Sequence, residues 1–182
     1  MPSLSFKNFV LLNNDEKQLV LSWRNSDRIR LKMNNQSIIS LENHLNWISS
    51  LKNYSDCKYY IFYIDNTPCG VFSFININCE ECECGSYMGN ETYLGFGILL
   101  NYLGFDCAFS NLNIRNINIT VLKNNMRVYK MHKTIFFAED ASETQNEWLL
   151  CLNVDNWNLN KQKIKKNIEK LYADTHAAVW ED

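Results

Sequence analysis

The spacing of apolar and polar residues divides the chain into segments typical of strands and of helices. Apolar, aromatic and β-branched residues that alternate or run together predict strands at 6–12, 58–64, 69–77, 79–88, 117–122 and 148–154, with a further strand after Phe137. Apolar residues at helical spacing predict helices capped by Asn14, Ser40 and Asn125 and one that begins after Gly97. This order predicts an α/β (α+β) fold in which a mixed sheet carries helices on both faces.

The C-terminal part of the chain differs in composition from the rest. A lysine-rich segment runs from Lys161 to Lys170, so the sequence predicts one domain at 1–157 and a helical extension and tail at 158–182. Three aliphatic residues of the extension share one helical stripe, Ile164, Ile168 and Leu171. Two roles stay open for this helix: docking on its own domain or a partner subunit, and lying on a membrane surface. The last residues, through Asp182, are expected to be frayed.

Composition limits the classes of function. The chain has 182 residues, of which 46% are hydrophobic and 13% aromatic, with 6 glycines and 2 prolines, which indicates a compact globular protein. The formal net charge of -2 argues against a basic surface that wraps nucleic acid. No run of about 18 apolar residues occurs, and Asn8, Asn13 and Asn14 interrupt the N-terminal segment, so neither a membrane span nor a signal peptide is predicted. We therefore expect a cytoplasmic protein with no nucleic-acid or membrane partner.

The cysteines favour free thiols over disulfides or a metal site. There are 7 of them, an odd number, in a chain without a predicted secretory signal. The run C-E-E-C-E-C holds Cys79, Cys82 and Cys84, but a structural zinc site needs a second pair or nearby histidines, and the 3 histidines are scattered. Cys82 and Cys84 are expected to share one face of a strand. No metal is expected.

The segment T-Y-L-G-F-G, at 92–97, follows a predicted strand and opens a helix. Unpaired backbone N–H groups and the positive end of a helix dipole meet at such a point, which favours a phosphate or pyrophosphate. Ordinary turn chemistry stays open as the alternative. A Walker loop needs G-K-[ST] and a Rossmann fingerprint needs G-x-G-x-x-G after the first strand, and neither fits. Most of the 6 glycines fall near this segment, namely Gly85, Gly89, Gly95 and Gly97.

This loop and its surroundings resemble the GNAT superfamily of acetyl-CoA-dependent N-acetyltransferases, over nearly the whole chain to about Trp157. The pyrophosphate loop of that superfamily is [Q/R]-x-x-G-x-[G/A], and residues 92–97 match it except that Thr92 replaces Gln or Arg. A later signature, an Asn, an alanine-like residue and a closing G-F pair, is met at Asn125, Val128 and Phe137. Phe136 stands where Gly is usual. The resemblance implies an acetyltransferase with a mostly antiparallel sheet, splayed fourth and fifth strands, and acetyl-CoA as co-substrate.

The resemblance also implies where acetyl-CoA binds. The fourth strand is expected to be bulged near Gly85 to Met88 and to offer backbone N–H groups to the thioester carbonyl and the pantetheine arm. Asn124 or Asn125 is expected to face the cofactor from the fifth strand and the turn after it. The cofactor-binding residues predicted in this way are Tyr87, Met88, Leu94, Gly95, Phe96, Gly97, Ile98, Asn124 and Asn125.

The N-terminal half narrows the resemblance. Four features, W-R-N at 23–25, Arg30, Met33, and E-x-H-x-x-W at 42–47, are similar to those of the N-acetyltransferases of pseudaminic acid biosynthesis. By this resemblance the enzyme acetylates the 4-amino group of a UDP-linked amino-dideoxy sugar, for flagellin or surface glycans, and a homodimer is compatible with it. Two alternatives stay open. One is a ribosomal-protein type N-terminal acetyltransferase, and the other is a GNAT domain that binds acetyl-CoA or a partner without turnover.

A basic cluster in this net acidic chain suits a diphosphate. The cluster consists of Arg24, Arg28, Arg30 and Lys32, and guanidinium groups pair well with phosphate oxygens. A solvated basic loop is the alternative. Asn25 has the alternative role of ordering the turn after the first helix. The predicted acceptor-binding residues, from the cluster and the resemblance together, are Arg24, Asn25, Arg30, Met33, His44 and Trp47.

The departing thiolate needs a proton, and three interpretations of the candidate donors stay open. By resemblance, the general acid is a Tyr seven residues after the Asn of the later signature, and that position holds His132. Imidazole has a reference pKa of about 6.5 and transfers protons near neutral pH, so His132 is predicted as the general acid. Tyr129, one turn earlier, is the second candidate, and a histidine that simply packs in a helix is the third. No carboxylate in the sequence identifies a general base.

Overall fold

The computed structural model describes residues 2–172 and 178–182. The strands are β1 (Leu4–Asn8), β2 (Lys58–Ile64), β3 (Thr67–Ile75), β4 (Glu81–Met88), β5 (Asn116–Leu122), β6 (Glu139–Glu143), β7 (Glu147–Asn153) and β8 (Val179–Glu181). The helices are α1 (Asn14–Asn25), α2 (Asp27–Arg30), α3 (Leu41–Ser50), α4 (Gly97–Ser110), α5 (Met126–Thr134) and α6 (Val154–Tyr172). Short 3-10 helices lie at Phe9–Leu11, Leu51–Asn53 and Glu91–Phe96.

The strands form one sheet in the order β6-β7-β5-β4-β3-β2-β1-β8. Neighbouring strands are antiparallel except at β4–β5 and β1–β8, which are parallel. The sheet is therefore mixed and mostly antiparallel, as the resemblance implied.

The sheet separates two apolar cores, because successive residues of a strand point to opposite faces. On one face Ile61 and Val71 pack with Val20 of α1 and Ile48 of α3. On the other face Phe72 packs in a larger cluster to which α4, α5 and α6 contribute. Helices cover both faces, as predicted.

Local hydrogen bonds determine where the first elements begin and end. The Asn13 side chain accepts from the N–H of Glu16 at 2.9 Å, and the Glu16 carboxylate accepts from the N–H of Asn13 at 2.8 Å. This reciprocal capping makes Asn13 the cap of α1, so the prediction of Asn14 as the cap is wrong by one residue. The strand predicted to reach Leu12 ends at Asn8, whose side chain accepts from the N–H of Val10 at 3.2 Å and starts a 3-10 turn.

The C-terminal residues pair with the sheet, and the expectation of a frayed end is wrong. β8 runs parallel to β1, and the Trp180 ring stacks on Phe6 with ring centroids 3.9 Å apart. The Asp182 carboxylate accepts from the ammonium group of Lys58 at 2.9 Å and from the hydroxyl of Tyr60. These contacts join residues more than a hundred positions apart, so they cannot be predicted from local sequence patterns.

The lysine-rich helix α6 docks on its own domain. Ile164 and Ile168 are buried, whereas Leu171 is 60% exposed. The apolar stripe therefore faces the core, which confirms the first of the two roles left open for this helix. The predicted division of the chain after residue 157 falls inside α6 and stays a prediction. Over the part of the chain that is described, no helix combines the length and apolar character needed to cross a membrane.

Candidate active site

A cleft opens between β4 and β5. The two strands pair only at their first residues, Glu81 to Glu83 on β4 and Asn116 to Asn118 on β5. β4 nevertheless continues to Met88 and β5 to Leu122. The strands therefore part after this short pairing, which agrees with the predicted splay.

Main-chain groups of β4 face the cleft without a partner strand. The N–H of Gly89, just beyond β4, donates to the carbonyl oxygen of Cys69 on β3 at 2.9 Å. Main-chain groups alternate between the two sides of a strand, so those of Ser86 and Met88 point away from β3 and toward β5. They lie beyond the point where β5 stops pairing. The N–H groups of these residues are thus placed to bind a carbonyl oxygen in the cleft.

The end of β4 is held by an arginine rather than shaped by a bulge. The register between β3 and β4 runs without a shift from Glu83 to Met88, so the predicted bulge near Gly85 to Met88 is wrong. Arg28 of α2 donates from Nη1 to the carbonyl oxygen of Met88 at 2.9 Å and from Nη2 to that of Gly89 at 2.7 Å. This fork fixes the chain where it leaves β4 for the following loop.

The predicted pyrophosphate loop is a 3-10 turn that leads directly into α4. Asn90 caps the turn by accepting from the N–H of Thr92 at 3.0 Å. Phe96 is the N-cap of α4, which begins at Gly97, and no side chain caps its first turn. A Cβ built on Gly95 would meet no heavy atom within 4 Å, so the space beside the loop is open. A free helix N-terminus beside open space fits an anionic group such as a pyrophosphate.

A buried asparagine joins this helix start to β4. The amide nitrogen of Asn101 donates to the carbonyl oxygen of Gly97 at 2.7 Å, and its Oδ1 accepts from the hydroxyl of Ser86 at 3.1 Å. Among the other predicted cofactor residues, Leu94 is 46% exposed, whereas Ile98 is half-buried against the core. The Asn101 side chain therefore links the start of α4 to the strand that borders the cleft.

Two predicted cofactor-binding residues, Tyr87 and Asn125, show no feature that points to contact with acetyl-CoA. Tyr87 packs against the core under α1 and α3, where burial raises its pKa and nearby Arg24 opposes that shift. Asn125 is the N-cap of α5, but its side chain makes no capping hydrogen bond. The role of both residues in cofactor binding stays a prediction.

Gly89 serves packing and not anion binding. A Cβ at this position would lie 2.0 Å from the ring of Trp23 on α1. Since side-chain atoms do not approach so closely, only glycine fits beneath this tryptophan. The glycines grouped in the sequence therefore have different roles, and Gly95 is the one whose side-chain space is free.

A contact from the far end of the chain reaches the loop, and sequence reasoning missed it. The hydroxyl of Tyr172, in the last turn of α6, donates to the carbonyl oxygen of Gly95 at 2.5 Å, across 77 positions. The Tyr172 ring also packs on Phe96, with centroids 5.1 Å apart. Burial raises the pKa of this tyrosine, which keeps the hydroxyl protonated as the donor.

Two arginines of the basic cluster keep buried N–H groups without a partner. Arg24 donates to the carbonyl oxygen of Asn35 at 2.5 Å, and Arg30 donates to that of Gln36 at 2.7 Å. Arg30 also pairs with Asp27 at 2.5 Å. Nη1 of Arg24 and Nε of Arg30 are buried and have no hydrogen-bond partner among residues 2–172 and 178–182. Buried donors on cationic groups are costly unless an anion binds them, so this place suits a phosphate.

The segment that carries these carbonyl groups is tied down at two further points. Asn25 donates to the carbonyl oxygen of Ile39 at 2.8 Å and accepts from its N–H at 2.9 Å. Asn25 therefore orders the turn after α1, which is the alternative role considered for it. The ammonium group of Lys32 donates to the carbonyl oxygen of Asn124 at 3.0 Å, which joins the segment to the end of β5.

A cavity of about 650 Å³ lies between this segment and the ends of β5 and β7. Met33, a predicted acceptor residue, and Leu122 are among its walls. Five of its lining side chains are amides, Asn34, Gln36, Asn124, Gln145 and Asn146. A cavity of this volume with many amide groups suits a polar small molecule with hydroxyl groups.

His44 and Trp47 do not line this cavity, and the acceptor role predicted for His44 is wrong. His44 is 3% exposed, and its Nε2 contacts the carbonyl oxygen of Lys17 at 3.0 Å, between α3 and α1. Burial lowers its pKa, so it packs as a neutral side chain. Trp47 packs edge-on against Phe9 and Tyr59, with centroids 6.0 and 4.9 Å apart, and thus holds α3 on the sheet.

His132 lies in the apolar core, and the reason for predicting it as general acid is wrong. The side chain is 3% exposed, between the rings of Phe105 and Phe136, whose centroids are each 5.9 Å away. Its Nδ1 has no hydrogen-bond partner in the part of the chain that the structure describes. Burial lowers its pKa to about 4, so the imidazole is neutral near pH 7 and holds no imidazolium proton to transfer.

Tyr129, the second candidate acid, faces away from the cleft. Its hydroxyl donates to Asp140 of β6 at 2.9 Å, and its ring packs at a tilt against Trp148 of β7 with centroids 4.2 Å apart. Both strands lie beyond β5 as seen from β4. The hydrogen bond to Asp140 raises the pKa of this exposed phenol. The third explanation, a histidine packed in a helix, therefore describes residue 132, and the hydroxyl of Tyr129 is bound on the β6 side of β5.

The cysteines are free thiols, as predicted. Cys82 and Cys84 share a buried face of β4, with their sulfur atoms 3.8 Å apart, whereas Cys79 is exposed. Residues 2–172 and 178–182 contain no cluster of three or more metal-binding side chains.

Comparison with known proteins identifies the family. No protein-family model matches the chain. The chain is 33% identical over 150 residues to acetyltransferase PseH of Campylobacter jejuni serotype O:23/36, which covers 82% of this chain and 93% of that protein. It is 30% identical over 149 residues to acetyltransferase PseH of serotype O:2, with the same coverage. The chain belongs to the PseH acetyltransferase family. It is therefore an acetyltransferase, and the predicted enzyme class is confirmed.

Solved structures confirm the GNAT fold. The crystal structure of the C. jejuni N-acetyltransferase PseH in complex with acetyl coenzyme A matches with a TM-score of 0.70 at 26% identity, over 83% of this chain and 99% of that chain. The nucleotide-linked sugar GNAT named FdhC matches with a TM-score of 0.75 at 19% identity, over 90% of this chain and 94% of that chain. The cleft, the loop and the helix start described above belong to this fold.

Proposed function

We propose that this PseH-family enzyme transfers the acetyl group of acetyl-CoA to the 4-amino group of a UDP-linked amino-dideoxy sugar, a step of pseudaminic acid biosynthesis. Acetyl-CoA and nucleotide sugars are cytoplasmic metabolites, so the proposal includes a cytoplasmic location. The homodimer compatible with the resemblance stays a prediction.

The donor side of the proposal rests on the loop and the cleft. The uncapped start of α4 and the open space beside Gly95 fit the pyrophosphate of acetyl-CoA. The N–H groups of Ser86 and Met88, which point into the cleft, fit the thioester carbonyl and the pantetheine arm. The acetyl-CoA bound by the related C. jejuni enzyme supports the same donor here.

The acceptor side rests on one observation above all. Buried N–H groups on Arg24 and Arg30 have no partner among the described residues, and Gln36, whose carbonyl oxygen accepts from Arg30, lines the cavity of about 650 Å³. A diphosphate supplies the missing acceptors, and the amide-rich cavity beside it suits a sugar. The free N-terminus of a peptide has no diphosphate that could accept from these arginines.

The chemistry that these residues support is direct transfer. Acetyl-CoA supplies the acetyl group as an activated thioester. The amino nitrogen forms the new N–C bond as the C–S bond breaks, and main-chain N–H groups of β4 stabilise the charge on the carbonyl oxygen without reorganising. The amine loses its proton to water and the thiolate takes one from water, because His132 and Tyr129 lie elsewhere.

Acetyl transfer to two classes of acceptor tests the proposal. The enzyme is incubated with acetyl-CoA and either the UDP-4-amino sugar or peptides with a free N-terminus, and thiol release and product mass are measured. We expect transfer to the sugar nucleotide. Transfer to peptides alone would show an N-terminal acetyltransferase, and no thiol release with any amine would show a binding domain without turnover.

A variant locates the acceptor site in the same assay. Arg24→Gln removes the charge and the unpartnered donor, and should raise KM for the sugar nucleotide about 10-fold or more at unchanged KM for acetyl-CoA. Arg127→Gln, on the exposed side of α5, is the matched control and should behave like the wild type. Equal KM values in both variants would remove Arg24 from the acceptor site.

A further inference from the structure

Glu147 is placed at the cavity beside the end of β5. It is the first residue of β7 and lies opposite Leu122, the last residue of β5. Leu150 and Leu152 of β7 point into the core, and residues an odd number of positions away point to the opposite face. Glu147 therefore faces the cavity of about 650 Å³, and it is the only carboxylate among the described residues that line it.

The Glu147 carboxylate has no cationic partner in the described part of the chain. No nitrogen of a Lys, Arg or His in residues 2–172 and 178–182 pairs with it within 4.0 Å. Lys123, the cation on the same cavity wall, pairs with Glu143 at 3.0 Å, and its ammonium group lies 5.9 Å from the centre of the Trp148 ring. The negative charge of Glu147 is thus available to a ligand.

Two cations of the segment that follows α1 stand behind the cavity wall. Lys32 donates to the carbonyl oxygen of Asn124 at 3.0 Å and pairs with no carboxylate of the described residues, and Arg30, which is also paired with Asp27, donates to the carbonyl oxygen of Gln36 at 2.7 Å. Gln36 and Asn124 both line the cavity, so the two cations lie directly behind its wall. The cavity therefore has a positive side toward the α2 segment and a negative side at Glu147, which suits a ligand with an anionic and a cationic end.

The geometry points to Glu147 as the residue that recognises the amino group of the acceptor in its ammonium form. The inference rests on the proposed function and adds the specificity-determining contact to it. An amino-sugar nucleotide carries a diphosphate for the positive side and an ammonium group for the negative side. A hydrogen bond between two charged groups is stronger than one to a neutral hydroxyl. Glu147 thus favours the sugar nucleotide that carries an amino group over the one that carries a hydroxyl at the same carbon, at the end of the cavity beside β5.

Binding of two matched ligands tests this role. Isothermal titration calorimetry compares the UDP-4-amino sugar with the UDP-sugar that carries a hydroxyl at the same carbon. We expect the wild-type enzyme to bind the amino sugar about 10-fold more tightly, and Glu147→Gln to bind both ligands equally. Glu169→Gln is the control, because it removes an exposed carboxylate of α6 on the other face of the sheet, and it should keep the preference of the wild type.

Further variants separate recognition from folding. The melting temperature of each variant is measured, and Glu147→Thr repeats the test with a second neutral side chain that is suited to a strand. Glu147→Asp keeps the charge and should retain a preference for the amine. An unchanged preference in Glu147→Gln would overturn the inference and leave the proposed function intact. Failure of the wild-type enzyme to bind either sugar nucleotide or UDP would overturn the proposed function, and the inference with it.

Discussion

The hydroxyl of Tyr172 donates to the main-chain carbonyl of Gly95 at 2.5 Å and so joins the end of α6 to the loop before α4. The bond orients the loop at the position whose side-chain space is open. Helix α6 is therefore part of the support for the proposed pyrophosphate site.

Tyr172→Phe removes this hydrogen bond and keeps the ring against Phe96. A hydrogen bond of this kind contributes about 1 kcal/mol, so KM for acetyl-CoA should rise about 5-fold while kcat stays near that of the wild type. Tyr54→Phe is the control, because Tyr54 is 57% exposed and far from the loop in sequence. An unchanged KM in Tyr172→Phe would mean that the loop keeps its shape without α6.

Alanine at Gly95 and at Gly89 should have opposite consequences. Gly95→Ala places a methyl group in open space, so the free energy of unfolding should change by less than about 0.5 kcal/mol while KM for acetyl-CoA rises. Gly89→Ala forces a methyl group against Trp23, and such overpacking costs about 1–3 kcal/mol. Denaturant unfolding and acetyl-CoA kinetics of the two variants separate a binding role from a packing role. Equal destabilisation in both would contradict the assignment.

His132 should make stability depend on pH. Its pKa falls from 6.5 to about 4 on folding, so the unfolded chain binds a proton that the folded chain does not between these values. Stability is therefore complete above about pH 6.5 and declines as the pH falls toward about 4, by about 3 kcal/mol in total. His132→Leu should remove most of this decline, measured as the free energy of unfolding at pH 7 and pH 4.5. Burial also lowers the pKa of His44, so a smaller loss of stability at acid pH should remain in both the wild type and His132→Leu.

The same variant tests the catalytic assignment. With His132 neutral in the core, His132→Leu should retain kcat near pH 7, provided that it remains folded. A folded His132→Leu enzyme with a large loss of kcat and an unchanged KM for acetyl-CoA would restore His132 as the general acid.

Trp180→Ala tests whether the C-terminal strand belongs to the fold. The substitution removes a ring that stacks on Phe6 and should destabilise the protein by about 2 kcal/mol, which lowers the melting temperature by about 4–8 °C for a chain of this length. Val179→Ala is the control, because Val179 is 63% exposed. A melting temperature equal to that of the wild type would mean that β8 contributes little to stability.

Local patterns in the sequence predicted the elements around the site well. Ser40 caps α3 as predicted, by accepting from the N–H of Asn43 at 3.2 Å. The strand predicted at 58–64 has these bounds in the structure, and α4 begins at Gly97, directly after the 3-10 turn. These features depend on residues only a few positions apart, so the spacing of caps, glycines and apolar residues is enough to predict them.

Side chains whose role depends on burial were the ones predicted wrongly. His44 and His132 are polar residues on amphipathic helices, and the sequence does not show which of their faces becomes enclosed. Glu147 and Tyr172 were not predicted as site residues, because no sequence motif surrounds either of them. Their neighbours come from other parts of the chain: Glu147 lies opposite Leu122 of β5, and Tyr172 contacts Gly95 in the loop before α4.

The sequence by itself determined most of the elements as far as α6, the position of the loop at 92–97 and the acetyltransferase resemblance, because each of these depends on the spacing of residues close together in the chain. Only the tertiary structure decided which titratable groups are buried, that residues 179–181 join the sheet, and that Arg24 and Arg30 keep unpartnered donors near a cavity faced by Glu147. Burial, strand pairing and charge balance are set by contacts between distant segments, and those contacts exist only once the sheet has formed.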